Sequence, residues 1–302
     1  MTSSLGSRLT LIAASLMLLA ATAFANCNWT TVPASFDFGS YSVFNPGSTA
    51  AVSSLAFSCN PNSTATLTMS RGTQSASFSP RTMASPAGDT IAYNLFRDAA
   101  GGAVWGDGSS GSFMTVTATP QAKDFTADIF GRVYPEADAA VGVYNDYVTA
   151  TLEWDKPKAG SSTVTLAIQV AVIPECQATA ATLNFGTYQP IGTHATTPLE
   201  NQTTLAVYCT RKAVATISMS PGSYALGAQR RMRSDGSDYL GYDLFSNLGM
   251  SSVWDSANTV SVTSSSKYIP LGNGVPLYGR VPAGQDVSAG SYQDTVQAVV
   301  NY

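Results

Sequence analysis

Between residues 163 and 173, Val164, Leu166, Ile168, Val170 and Val172 fall on one set of alternate positions and Thr165, Ala167, Gln169 and Ala171 on the other. Successive side chains of an extended chain point to opposite faces, so this period of two predicts a strand with one apolar face. Residues 50–59, 64–70, 143–154 and 205–209 are rich in β-branched and aromatic residues and bounded by Gly, Pro, Asn and Ser. They read as strands too. No stretch carries the 3.6-residue apolar period of a helix. The pattern predicts an all-β chain built from immunoglobulin-like β-sandwiches.

The pattern is written twice. The spacing from Cys27 to Cys59 is nearly that from Cys176 to Cys209, and other landmarks recur at almost the same offset. Phe36-Asp-Phe-Gly39 returns as Leu183-Asn-Phe-Gly186, each with a Tyr two residues on (Tyr41, Tyr188). Tyr93-Asn-Leu-Phe96 returns as Tyr242-Asp-Leu-Phe245, Trp105 as Trp254, and Gly131-Arg-Val133 as Gly279-Arg-Val281. Val143-Tyr-Asn-Asp146 returns as Ser291-Tyr-Gln-Asp294. The chain therefore predicts two tandem domains, at 26–173 and 174–302. Four cysteines allow three connectivities. The repeat favours Cys27–Cys59 and Cys176–Cys209, each worth about 3–4 kcal/mol by loop closure.

One strand has no second copy. Trp154 aligns with Tyr302, and the turn 155–162 with the alternating strand 163–173 has no counterpart beyond it. Burying five such aliphatic side chains is worth roughly 7–15 kcal/mol, against a net domain stability of about 5–15 kcal/mol. The second domain is therefore expected to lack its final strand and to present an apolar groove beside an unpaired edge, an aggregation hazard unless filled. An equivalent strand from another chain, added by β-augmentation, is the expected filler. Strand 163–173 precedes Cys176, so it is given backwards to the first domain, and the first domain has nothing ahead of Cys27 to give. Such a subunit receives a strand and donates none.

Composition narrows the setting. Arg8, the apolar run 9–20 and Ala23-Phe24-Ala25 read as a signal peptide over residues 1–25. Export places the cysteines where disulfides persist. Charged residues are 11% of the chain, with 15 basic against 19 acidic. A mildly acidic protein is poorly suited to phosphate backbones, so nucleic acid is not an expected partner. The single histidine, His194, leaves no multi-histidine metal site and argues against a serine–histidine triad. Glu136/Asp138 and Glu153/Asp155 are i, i+2 carboxylates that could share one strand face, but nearness in sequence does not set the separation that glycosidic chemistry needs. No enzyme activity and no cofactor are expected.

Taken in order, the Cys…aromatic-Gly-x-Tyr…Cys openings, the Tyr-x-Leu-Phe and Trp block, the Gly-Arg-Val segment and the Tyr-x-Asp strand resemble spore coat U domains, the pilin modules of archaic, Csu-type chaperone–usher pili. The resemblance spans nearly the whole chain after residue 25, twice. It implies periplasmic folding with a chaperone that lends a strand, passage through an outer-membrane usher, and strand exchange with the next pilin subunit. Two-domain members are similar to tip adhesins that attach cells to abiotic or host surfaces and support biofilm formation.

For the adhesive contact, the first copy offers a Gly/Ser loop leading into Phe113 and Met114, and the turn residues Lys156, Pro157 and Lys158. The turn 155–162, the loop after Cys59 and part of the region between Tyr93 and Phe125 are expected at the pole remote from the second domain. Trp105, present in both copies, reads as core. A sugar-binding lectin at the same tip, a structural coat or matrix protein, and an outer-membrane barrel are the competing readings. The barrel fits poorly with the disulfides and the lack of membrane-length strands.

Overall fold

A computed structural model describes residues 27–135, 137–156 and 158–302. The signal peptide expected at 1–25, Glu136 and the candidate contact residue Pro157 lie outside them. Strands make up nearly all the regular structure, with two 3-10 turns at Thr193–Ala195 and Leu271–Asn273.

The first domain contains β1 (Cys27–Thr31), β2 (Phe36–Tyr41), β3 (Thr49–Cys59), β4 (Thr64–Met69), β5 (Arg81–Ala84), β6 (Thr90–Phe96), β7 (Met114–Thr117), β8 (Asp124–Val133), β9 (Gly142–Trp154) and β10 (Gly160–Val172). Two layers, β1-β3-β8-β6-β5 and β7-β4-β9-β10-β2, are joined by the single pair Ala84–Asn145. Alternation along β4 and β9 puts Ala65, Leu67, Met69, Tyr144, Val148, Ala150 and Leu152 into the core between them. The strand read from the sequence at 163–173 begins three residues earlier, because Gly160 packs under the Trp154 ring, where a Cβ would come within 2.6 Å of it.

The second domain repeats the order with β11 (Cys176–Ala178), β12 (Leu199–Leu205), β13 (Val207–Cys209), β14 (Val214–Met219), β15 (Arg230–Ser234), β16 (Tyr239–Phe245), β17 (Val260–Thr263), β18 (Val275–Val281), β19 (Tyr292–Gln293) and β20 (Ala298–Asn301). Its layers are β12-β18-β16-β15-β19 and β17-β14-β20, with β11 on β13. The run expected as one strand at 205–209 is broken at Ala206, where the chain leaves β18 and turns to β11. Disulfides join Cys27 to Cys59 and Cys176 to Cys209.

The repeated glycines have a steric reason. A Cβ on Gly131 would lie 2.5 Å from the Phe36 ring and 2.7 Å from Phe38, and one on Gly279 would lie 2.5 Å from Leu183 and 2.6 Å from Phe185. In both domains the apolar pair of the opening segment packs closely against a bare glycine backbone.

Candidate functional site

In the first domain β10 fills the space between β2 and β9. It runs parallel to β2, with Ile168 opposite Phe36 and Val172 opposite Tyr41, and antiparallel to β9 from Gly160–Trp154 to Val172–Gly142. Leu166, Ile168, Val170 and Val172 are buried in the core and Val164 packs against its margin. On the outer face Gln169 Nε2 donates to Asp37 Oδ2 at 2.8 Å.

The same place in the second domain is open. Among the described residues no strand lies between the segment 183–188 and the β19–β20 stretch, and 183–188 itself forms no strand. A groove of about 650 Å³ runs there, lined by Leu183, Phe185, Tyr188, Leu199, Leu240 and Tyr292 among others. Matched residues show what is uncovered. Phe36, Phe38 and Tyr41 are buried, whereas Leu183, Phe185 and Tyr188 are half-buried. Val148, Ala150 and Leu152 are buried, whereas Val296 and Val300 are half-buried and Ala298 is exposed. The groove is bounded by 183–191 on one side and 287–292 on the other.

Its walls are held by polar locks that both domains share, buried in the first domain and part-buried in the second. Tyr93 donates to Asp146 Oδ2 and Tyr242 to Asp294 Oδ2, each at 2.7 Å. The other oxygen, Oδ1, accepts the amides of Thr73, Gln74 and Tyr147 on Asp146, and of Ser223 and Thr295 on Asp294. Burial first, and the adjacent carboxylate second, push both tyrosine hydroxyls above their ordinary range. Arg81 and Arg230 are also buried, and each donates to a tryptophan carbonyl, Trp105 O and Trp254 O, at 2.7 Å. Desolvation lowers both arginines. Sequence reasoning passed over these arginines, although they keep the offset of the other landmarks. Trp105 and Trp254 are core residues, donating to Asp128 O and Ile217 O.

The candidate contact residues of the first domain do not share one surface. Asp155 N donates to Thr64 O, and Ser63 Oγ to Lys156 O, so the turn carrying exposed Lys156 and Lys158 lies beside the loop after Cys59. Phe113 is 41% exposed, but β7 pairs Met114 with Leu67 while Thr117 meets Thr64. Phe113, four residues from Thr117, thus sits about 13 Å down the sheet from that pole, by strand rise. Met114 opens β7 and packs against the core. His194 Nδ1 accepts the amide of Gln189 at 2.8 Å and its ring stacks on Tyr188, which engages one ring nitrogen and one face in local structure. Among the described residues no group of three or more His, Cys, Asp or Glu could hold a metal, and no helix is long and apolar enough to cross a membrane.

The two domains meet at a polar junction. Asp89, in the turn between β5 and β6, pairs with Arg211 at 2.9 Å and Lys212 at 2.8 Å, in the turn after Cys209. Hydrogen bonds from Lys212 and Arg211 hold its carboxyl below the usual range. Asp138 O accepts from Arg211 Nε, and its Oδ1 accepts the Lys267 amide. Buried Lys267 Nζ reaches Val43 O at 2.7 Å. Val141 packs against the core of the second domain.

Comparison with known proteins gives a consistent picture. The family model of the Spore Coat Protein U domain matches residues 13–151 and 162–299. Protein U of Myxococcus xanthus is 35% identical over 132 residues, 40% of this chain and 72% of the relative. Among solved structures, a chain of the CsuC–CsuE chaperone–tip adhesion subunit pre-assembly complex, from the archaic chaperone–usher Csu pili of Acinetobacter baumannii, superimposes with a TM-score of 0.53 at 15% identity. That superposition covers 92% of this chain and 100% of the other. The CupB6 tip adhesin of Pseudomonas aeruginosa, at a TM-score of 0.37 and 12% identity over 92% of this chain and 95% of that one, is too distant to carry weight.

Proposed function

We propose that this chain, which belongs to the Spore Coat Protein U domain family, is the adhesive tip subunit of a chaperone–usher pilus. The observation that carries the reading is the groove of the second domain, which lies where β10 completes the first. A chaperone strand fills it in the periplasm, the usher passes the subunit outward, and a strand from the next pilin fills it at the cell surface. β10 leads into the second disulfide, and it is engaged within its own chain rather than free to enter a neighbour. The first domain, complete in itself, is then the part that meets an abiotic or host surface and supports biofilm formation. Its solvent-facing candidates are Phe113 on one side and Lys156 with Lys158 at the remote pole.

The likeness to Protein U favours a structural coat or matrix role as the second reading. Surface display that continues without a chaperone and usher would select it.

Residues 155–173 appended after Tyr302 place a second copy of β10 behind the counterpart of Trp154. Filling the groove in this way converts an aggregating or chaperone-dependent chain into a monomer whose second domain melts cooperatively. If the unextended chain already melts cooperatively in both domains, and the extension adds nothing, the groove is not a strand site and the reading fails.

A further inference from the structure

The junction between the two domains is repeated, half-built, at the far end of the second domain. The turn Ser85–Asp89, closed by Ser85 N to Asp89 O, matches Ser234–Asp238, closed by Ser234 N to Asp238 O. Asp238 is therefore the counterpart of Asp89. The register of the other strap is set by Tyr41 and Tyr188. Tyr41 OH bonds Tyr134 O and the Ala137 amide, and Tyr188 OH bonds Pro282 O and the Gln285 amide. Asp138 follows Ala137 and Asp286 follows Gln285, so Asp286 is the counterpart of Asp138.

In the first domain these two acids face Arg211, Lys212 and Lys267. Among the described residues Asp238 and Asp286 take part in no ion pair, and Asp286 is exposed. In the segment 42–46 Val43 is buried and accepts the Lys267 ammonium, and Phe44 packs against the first core; in the matching segment 189–193 the counterpart of Phe44 is Ile191, 97% exposed. Val141, lodged on the neighbouring core, corresponds to exposed Ala289.

The opposite pole of the first domain lacks the other half. Asn62 and Lys212 share the same left-handed backbone, with φ of 71° and 64°, and each donates its amide to the matching loop, at Ala118 O and Ser264 O. Pro61 and Asn62 thus stand where the second domain has Arg211 and Lys212. The loop positions that match Arg211 and Lys212 therefore carry no cation there, and the lysines of that pole, Lys156 and Lys158, belong to the turn 155–162 instead.

We propose that Asp238, Asp286 and Ile191 form a docking face for the module of the following subunit, and that this module carries a basic pair two and three residues after its second cysteine, as Arg211 and Lys212 follow Cys209. The proposal rests on the tip reading, and it adds a recognition surface separate from the strand groove. Strand exchange selects any segment with alternate apolar residues. The acidic face selects among modules by charge, since an uncompensated or like charge there disfavours the wrong neighbour.

The probe is the full chain followed, after Tyr302, by a second copy of residues 155–302. The copy supplies both a strand for the groove and a module bearing Arg211 and Lys212. Melting of the original second domain is followed in low salt. The extension raises its midpoint. Asp238→Lys with Asp286→Lys then lowers that midpoint by a few degrees, and Arg211→Asp with Lys212→Asp in the appended copy alone recovers it. A raised midpoint that neither swap nor salt moves overturns the docking face and leaves the groove standing. No rise on extension takes down the groove reading and this proposal with it.

Discussion

Tyr242 and Asp294 are joined by a 2.7 Å hydrogen bond on the rim of an open groove, whereas the matched Tyr93 and Asp146 make the same bond in a closed core. One lock is thus present twice, with its burial set by whether a strand lies over it. Asp146 is fully buried and Asp294 is not.

Tyr93→Phe leaves buried Asp146 without one of its donors, which costs about 1–3 kcal/mol. Tyr242→Phe costs less while water reaches Asp294. The two penalties converge once a strand fills the second groove. Urea unfolding of the two variants, with and without residues 155–173 appended after Tyr302, measures this. Equal penalties in the unextended chain would contradict it.

Ile168→Ala removes a fully buried side chain from β10 and is expected to destabilise the first domain by about 2–5 kcal/mol. Only one of two thermal transitions moves. A shift in the second domain alone would mean that β10 does not belong to the first.

Phe113→Ser removes an exposed aromatic while Arg97, which donates to Phe113 O, keeps its backbone acceptor. Assembly is expected to be unaffected and retention on hydrophobic surfaces reduced. Lys156→Ser with Lys158→Ser tests the pole separately, with anionic surfaces as the readout. Unchanged retention for a variant removes that patch from the contact.

The junction responds to acid in a defined direction. Asp89 is held below its usual 3.8 by hydrogen bonds from Lys212 and Arg211. A group with a lowered folded value stabilises the structure above its unfolded value, and that contribution is lost as pH falls through the folded one. The domains therefore stay docked at neutral pH and loosen below about pH 4. Small-angle scattering across that range follows the change, and Asp89→Asn should scatter at neutral pH as the parent does in acid.

Much of this architecture was legible because it rests on local periodicity and on repetition. The alternation in β10 and the shared offsets of cysteines, tyrosines and glycines are one-dimensional signals that survive without any structure. Other features depend on contacts between distant segments. Buried Arg81 and Arg230 read as surface residues, since arginine is seldom buried unless paired, and only their common offset would have singled them out. The pairing of Asp89 with Arg211 crosses the two domains and has no periodic trace. Phe113 and Lys156 lie near each other in no projection of the sequence, and their separation emerges from the β4–β7 register. The segment 183–188 shows how a strand pattern fails without a neighbour: the residues match β2, but among the described residues no strand lies beside them to make a ladder.

The path from β10 to β11 has a mechanical meaning. Only residues 173–175 separate the two strands, so in the proposed tip role tension between an attached first domain and a trailing fibre would enter β10 at its Val172 end. That tension runs along the strand axis, with β9 on one side and β2 on the other. Ladders pulled along their length share the load across all their bonds at once, whereas ladders peeled from an end break one rung at a time. In that role the same strand that completes the fold would be a shear-loaded tether, and the grip under flow would be set by how slowly β10 slides from its two neighbours.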